Sequence, residues 1–239
     1  MIFARTAAMA FNRYLDREID IKNDRTKSRE IPAGVIRPQS ALTLVILSSL
    51  AFMFVAFQIN KLCFYLSPVA LAVVLGYSFT KRFTFLCHII LGIGLSLAPI
   101  GAYLAVTGVF DWVPLFFSFA VIFWVSGFDI IYALQDEEFD RSLQLHSMPA
   151  FFGKKTALHL SSLLHILSIT FIILAGRNFH FTWLYWIGAS IFSLLIIYQH
   201  TLVKPNDLSK VNMAFATTNG IASLVFASFV VTDLLSMHV

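Results

Sequence analysis

Apolar residues run along this chain in blocks of about 20, too uniform for the 3.6-residue stripe of a soluble amphipathic helix. Seven such blocks stand out, at residues 40–59, 62–79, 86–106, 112–133, 156–175, 181–199 and 211–232. Each approaches the length that the hydrocarbon core of a bilayer demands of an α-helix. Charges and turn formers separate them: Asn60-Lys61, Lys81-Arg82, Gly108, Arg177-Asn178 and Lys204-Pro205-Asn206-Asp207. The opening 14 residues read as the second half of an eighth helix. The pattern predicts an all-α, polytopic transmembrane helical bundle, a single membrane-embedded domain over residues 1–239.

Composition agrees. Of 239 residues, 58% are hydrophobic and only 13% charged, which excludes a disordered chain and an ordinary soluble globule. Two cysteines, Cys63 and Cys87, both in apolar context, imply neither a disulfide scaffold nor a metal knuckle. The net charge of +4 does not point to nucleic acid, because the basic residues sit in the short loops between spans. On the side that holds loop 17–38 fall Arg17, Lys22, Arg25, Lys27, Arg29, Arg37, Lys81, Arg82, Arg141, Lys154, Lys155, Lys204 and Lys210; the other side receives Lys61 and Arg177. By the positive-inside rule the first side is cytoplasmic, and the expectation is a multi-pass protein of the inner (plasma) membrane. Arg25 and Arg141 either bind phosphate or are plain loop residues, and the same rule favours the second.

Acidic residues follow a different logic. Ten of the 13 fall in two places at that one face: Asp16, Glu18, Asp20, Asp24 and Glu30 around the first loop, and Asp129, Asp136, Glu137, Glu138 and Asp140 around the third. Asn12, Asp16 and Asp20 are four apart and share a helix face, and Asp136 and Asp140 repeat the interval. One DxxxD at a helix end is usually a solvated cap. Two at one membrane face, in a chain this poor in charge, repel each other and call for a cation. Hard oxygen ligands around an open cavity suit Mg²⁺, which commonly bridges one or two carboxylates and substrate phosphates. The clusters therefore read as a magnesium–diphosphate clamp, with its active-site face cytoplasmic. Asp129, seven residues before Asp136, lies near the same helix face and either lines the cavity or pairs locally.

The seven histidines show no metal spacing with carboxylates; His159 and His165, six apart, lie on different helix faces. Gly92, Gly94, Ser96, Ala98 and Pro99 suit close helix packing and a kink. A transporter using intramembrane carboxylates is the alternative from another class, but the two acid motifs sit at one face rather than in inverted repeats.

Particular strings carry a resemblance. Asn12-Arg-Tyr-Leu-Asp16-Arg-Glu-Ile-Asp20 resembles the NxxxDxxxD motif of the UbiA superfamily of intramembrane prenyltransferases. Tyr77-Ser-Phe-Thr-Lys81-Arg82-Phe-Thr84 resembles its YPxxKRxT segment, with Ser78 in place of Pro. Tyr132-Ala-Leu-Gln-Asp136-Glu-Glu-Phe-Asp140 is similar to its second motif, and His146-Ser-Met-Pro149 continues the pattern. The resemblance implies about nine helices around a central cavity, with a first helix and half of a second ahead of Met1, so the chain is expected to be N-terminally incomplete. It implies Mg²⁺ held by Asn12, Asp16, Asp20, Asp136 and Asp140, with Lys81 and Arg82 at the diphosphate or an acidic acceptor. Asp16, Asp20, Asp136 and Asp140 become the catalytic set.

The implied reaction is transfer of a polyprenyl chain from polyprenyl diphosphate to an aromatic carboxylic acid, 4-hydroxybenzoate-like, in quinone (ubiquinone) biosynthesis. A naphthoate acceptor in menaquinone biosynthesis is the runner-up. Tyr77, Tyr132 and Phe-rich helices offer π faces to an allylic cation, and the bilayer accommodates the isoprenoid tail.

Overall fold

The computed structural model describes residues 1–236, and over them the chain is a bundle of α-helices with no β-strand. Helix α1 (Ile2–Leu15) runs into the short α2 (Arg17–Asp20). After the first loop come α3 (Pro38–Ile59), α4 (Lys61–Thr80), α5 (Cys87–Thr107) and α6 (Val113–Ala133). A 3-10 turn at Leu134–Asp136 leads into α7 (Glu137–Ser142) and α8 (Met148–Phe152). Then follow α9 (Lys154–Asn178), α10 (Trp183–Leu202) and, beyond a π-helical turn at Met213–Thr218, α11 (Asn219–Ser236).

Local sequence explains the breaks. Pro38 and Pro114 stand in the first turns of α3 and α6, where a missing N–H costs nothing. Asn60 separates α3 from α4: its Oδ1 accepts from the Cys63 amide at 2.8 Å, while its Nδ2 donates to the Leu104 carbonyl of α5 at 2.9 Å. Gly108, at φ 69°, ends α5 in the left-handed conformation that suits glycine. Asp233, fully buried on α11, caps α10: its carboxylate accepts from the amides of Thr182 and Tyr185 at 3.0 and 3.2 Å and from the Thr182 hydroxyl. An acid in an apolar helix here serves a helix N-terminus.

Six helical stretches are long and apolar enough to cross a bilayer: Pro38–Ile59, Lys61–Thr80, Cys87–Thr107, Val113–Ser142, Lys154–Asn178 and Met213–Ser236. The seventh expected span, 181–199, forms α10 at 20 residues but is not among the six. Its ends are the reason, since Trp183, Tyr185 and Trp186 at one end and Tyr198, Gln199 and His200 at the other dilute its apolar content. Large apolar side chains, including Leu47, Leu50, Phe54 and Phe57 on α3, point outward. A bilayer solvates such a surface, and the protein is a multi-pass membrane protein.

Between helices, small and hydroxylated residues make the contacts, as they must where lipid tails compete equally for apolar surface. Ser161 of α9 donates to the Gly127 carbonyl of α6 at 2.7 Å, Ser168 to Ala120 at 2.9 Å, and Ser118 to Ser96 of α5 at 2.8 Å. Buried Asn219 accepts from Trp124 Nε1 at 3.1 Å and donates to the Phe215 carbonyl freed by the π-helical turn at 2.8 Å. As expected for Gly92, α5 and α6 approach so closely that a Cβ there would lie 2.5 Å from the Ile122 carbonyl oxygen. Gly76, also mid-helix, has nothing within 4 Å of its Cβ position. Gly92→Ala therefore lowers stability by about 1–3 kcal/mol through overpacking, read as a lower melting temperature in detergent. Gly76→Ala, free of that clash, leaves the melting temperature equal or higher.

Candidate active site

The two acid motifs meet. Asp16 interrupts the helix between α1 and α2, yet its amide bonds to the Asn12 carbonyl at 2.9 Å and the Asp20 amide bonds to the Asp16 carbonyl at 2.8 Å. That continuity keeps Asn12, Asp16 and Asp20 on one face. All three line a cavity of about 230 Å³, together with Tyr77, Lys81, Arg82, Asp129, Tyr132 and Asp136. Sequence reasoning had placed each of these except Asp129, which it left open, at the site; the structure brings all of them around one hollow at one end of the bundle.

Every acid of the four-Asp set has a basic partner. Arg82 Nη2 lies 2.9 Å from Asp16 Oδ1, and Arg29 Nη1 reaches both oxygens of Asp20 at 2.7 and 2.9 Å. Arg25 forms a bidentate pair with Asp136, its Nε at 3.1 Å from Oδ1 and its Nη2 on Oδ2. Asn23 Nδ2 adds a bond to the same carboxylate at 3.0 Å. Lys81 Nζ stands 2.7 Å from Asp140 Oδ1. The cation that the clustered acids call for is thus supplied in this conformation by the chain's own Lys and Arg side chains. Burial raises the Asp16 carboxyl above the ordinary range in spite of Arg82. At Lys81 burial works against the ammonium, but Asp140 outweighs it and its pKa rises.

One expectation is corrected. Arg25 is not a plain loop cation: besides holding Asp136, it donates from Nη1 to Tyr132 Oη at 2.7 Å, with its guanidinium 5.0 Å over that ring. Loop charge counting could not distinguish it from Arg141, which stays at the surface against Glu137 and the Ala150 carbonyl. A histidine contact also lies beyond what sequence spacing offered. His88 Nδ1 lies 2.6 Å from Asp129 Oδ2, a contact between α5 and α6 that spacing within one helix cannot disclose. Asp129 thereby both lines the cavity and pairs locally. His165 pairs instead with His200, at 2.7 Å across α9 and α10.

Asp140 lies behind the cavity wall, fully buried, and neither of its carboxylate oxygens accepts a well-directed hydrogen bond. Among the described residues no three His, Cys, Asp or Glu side chains converge closely enough to hold a metal ion unaided. The donor set nevertheless fits Mg²⁺: hard carboxylate oxygens from two facing motifs, one with unused lone pairs, suit an ion that takes most of its ligands from phosphate and water.

A cavity of paired acids and bases at one end of a membrane-embedded all-α bundle suits an anionic ligand with an apolar tail. The chain belongs to the UbiA prenyltransferase family, whose model matches residues 1–229. Among similar proteins, the 4-hydroxybenzoate octaprenyltransferase of Alcanivorax borkumensis is 31% identical over 227 residues, 95% of this chain and 78% of that protein. That of Vesicomyosocius okutanii is 30% identical over 97% of this chain and 85% of the relative. The apo structure of a UbiA homologue from Aeropyrum pernix superposes with a TM-score of 0.90 at 29% identity, covering 98% of this chain and 86% of that one. A UbiA homologue from Archaeoglobus fulgidus, solved with DMAPP and Mg²⁺ bound, shares the fold at a TM-score of 0.61 and 20% identity, over 94% of this chain and 84% of the other.

Removing one side of the buried pair isolates its contribution. Lys81→Met strands Asp140 without a counter-charge and costs about 3 kcal/mol, the low end for a broken buried pair because Lys81 is partly exposed. Lys81→Met with Asp140→Leu recovers most of that loss, as thermal melts in detergent will show.

Proposed function

We propose that the protein transfers a polyprenyl chain from polyprenyl diphosphate to an aromatic carboxylic acid of the 4-hydroxybenzoate type, with Mg²⁺, in quinone biosynthesis. One observation carries this reading: Arg25 of the first loop grips Asp136 of the second motif, so both acid motifs and their bases surround the same cavity. The relatives named for octaprenyl transfer to 4-hydroxybenzoate support the acceptor class.

The residues divide the work by charge. Asn12, Asp16, Asp20 and Asp136 would hold Mg²⁺, which when bound neutralises the diphosphate and eases its departure; Asp140, which the motif spacing had put among the ligands, lies behind the wall and instead positions Lys81. Arg25, Arg29, Lys81 and Arg82 place positive charge where phosphate oxygens gather negative charge as the allylic C–O bond breaks. Their guanidinium forks match phosphate geometry, so Arg25 and Arg29 orient the headgroup as well as attract it. Tyr77 and Tyr132 line the cavity and would shield the carbon that becomes cationic, Tyr132 being held by stacking on Phe215 with centroids 4.2 Å apart. Enclosure by α1 and α4–α6 keeps water from the cation. The acceptor's carboxylate finds the same basic rim. We place that rim at the cytoplasmic face of the plasma membrane, where the loops carry most of the Lys and Arg.

Radiolabelled prenyl diphosphate and 4-hydroxybenzoate supplied to membranes holding the protein test the reading. Transfer is expected with Mg²⁺ and is abolished by EDTA. Asp16→Ala or Asp136→Ala abolishes transfer while the protein still inserts; undiminished turnover in either variant rejects the clamp.

A further inference from the structure

Of the four carboxylates that line the cavity, Asp16, Asp20 and Asp136 each face an arginine, and Asp129 does not. Its partner is His88, buried to 3% exposure at the start of α5. The imidazole's state follows from its other contact: Nε2 lies 3.2 Å from the Met148 amide nitrogen. An amide can only donate, so Nε2 is the acceptor and the ring proton sits on Nδ1, directed at Asp129 Oδ2. His88 therefore donates through Nδ1, and Asp129 is the acceptor at the cavity wall. Its Oδ1 accepts no hydrogen bond among the described residues, and the side chain remains a quarter exposed. Seven residues of helix set it about 10 Å deeper along α6 than Asp136, away from the basic rim.

We propose that Asp129, positioned by His88, receives the hydroxyl of the aromatic acceptor and takes its proton during transfer. The inference rests on the prenyl-transfer reading and adds a base to it. A carboxylate without an arginine repels the acceptor's own carboxylate and welcomes an O–H donor, so the acceptor lies with its acid toward the rim and its hydroxyl inward. As the allylic C–O bond breaks, its electron pair leaves on the diphosphate. The ring carbon beside the hydroxyl supplies the pair for the new C–C bond, and the phenolic proton passes to Asp129. The resulting dienone loses the proton on its alkylated carbon to the diphosphate. That C–H pair restores the aromatic ring while Asp129 returns its proton to the oxygen. Asp129 is a catalytic residue in this scheme and His88 a positioning residue.

Asp129→Asn tests it and should fold, because an amide oxygen can still accept from His88 Nδ1. The expected result is a loss of kcat of about 10²-fold on 4-hydroxybenzoate, with binding of a prenyl thiodiphosphate and Mg²⁺ unchanged. On 3-fluoro-4-hydroxybenzoate, whose phenol ionises more readily, the ratio of wild-type to variant turnover shrinks about tenfold. His88→Ala lowers kcat about tenfold with little change in acceptor KM, and His88→Asn, which keeps a donor toward Asp129, restores most of it. A ratio indifferent to acceptor acidity, or wild-type turnover in Asp129→Asn, overturns the proposal while leaving prenyl transfer standing. Absence of Mg²⁺-dependent transfer by the wild-type protein overturns both.

Discussion

Carboxylates buried in an apolar bundle are tolerable only if each has a hydrogen-bonding or charged partner within reach, and at the motif end of the bundle, where those partners are lysine and arginine, the architecture follows from that constraint. Removing an ionised group from water costs several kcal/mol, and a well-formed partner offsets it. Arg82 on Asp16 ties the segment after α4 to α1, Arg25 on Asp136 ties the first loop to the end of α6, and Lys81 on Asp140 ties α4 to α7. Three of the four pairs thus join separate segments of the chain, and only Arg29–Asp20 stays within the first loop. The membrane end of the bundle is cross-linked by charge where its middle is held by serine hydroxyls and glycine contacts.

Helix geometry decides which acids can serve. The 3-10 turn at Leu134–Asp136 follows directly on α6, so Asp129, Tyr132 and Asp136 descend one wall at intervals of three, four and seven. Asp140, one turn farther in α7, passes behind that wall and becomes an anchor for Lys81. The division between Asp136 and Asp140 is a consequence of where the chain leaves the bundle, and the same spacing in the first motif leaves both Asp16 and Asp20 at the cavity.

Most of the fold was legible because long apolar blocks admit one solution in a bilayer. Both motifs were legible because charge is rare in such a chain, and spacing alone put Asn12, Asp16 and Asp20 on a shared face. What spacing cannot carry is contact between helices. Arg25 looked like every other loop arginine until the first loop folded over Tyr132, and His88 had no acid within a turn of itself in sequence, its partner lying 41 residues away. A signal for His88 did exist: an imidazole opening an apolar helix at the face that holds every acid motif needs a polar partner. Span 181–199 forms α10 as expected and stands apart from the six only by hydropathy, which the aromatic and polar residues at its ends lower.

Pairing each acid with its own base also shapes what the cavity can admit. A diphosphate approaching four carboxylates is repelled, and an apolar tail alone gives no reason to stop at this depth. With Arg25, Arg29, Lys81 and Arg82 already drawn in by the acids, the incoming phosphate oxygens meet guanidinium and ammonium groups held at the rim rather than spread through solvent. On the proposed reading, the carboxylates so displaced would become hard oxygen ligands, and capture of the headgroup would expose the acids. Asp129 stands outside that exchange because its partner is His88 of α5 rather than a lysine or arginine. It is the one cavity carboxylate that faces no arginine, and it lies about 10 Å deeper along the helix than Asp136, where the proposed proton acceptor is needed.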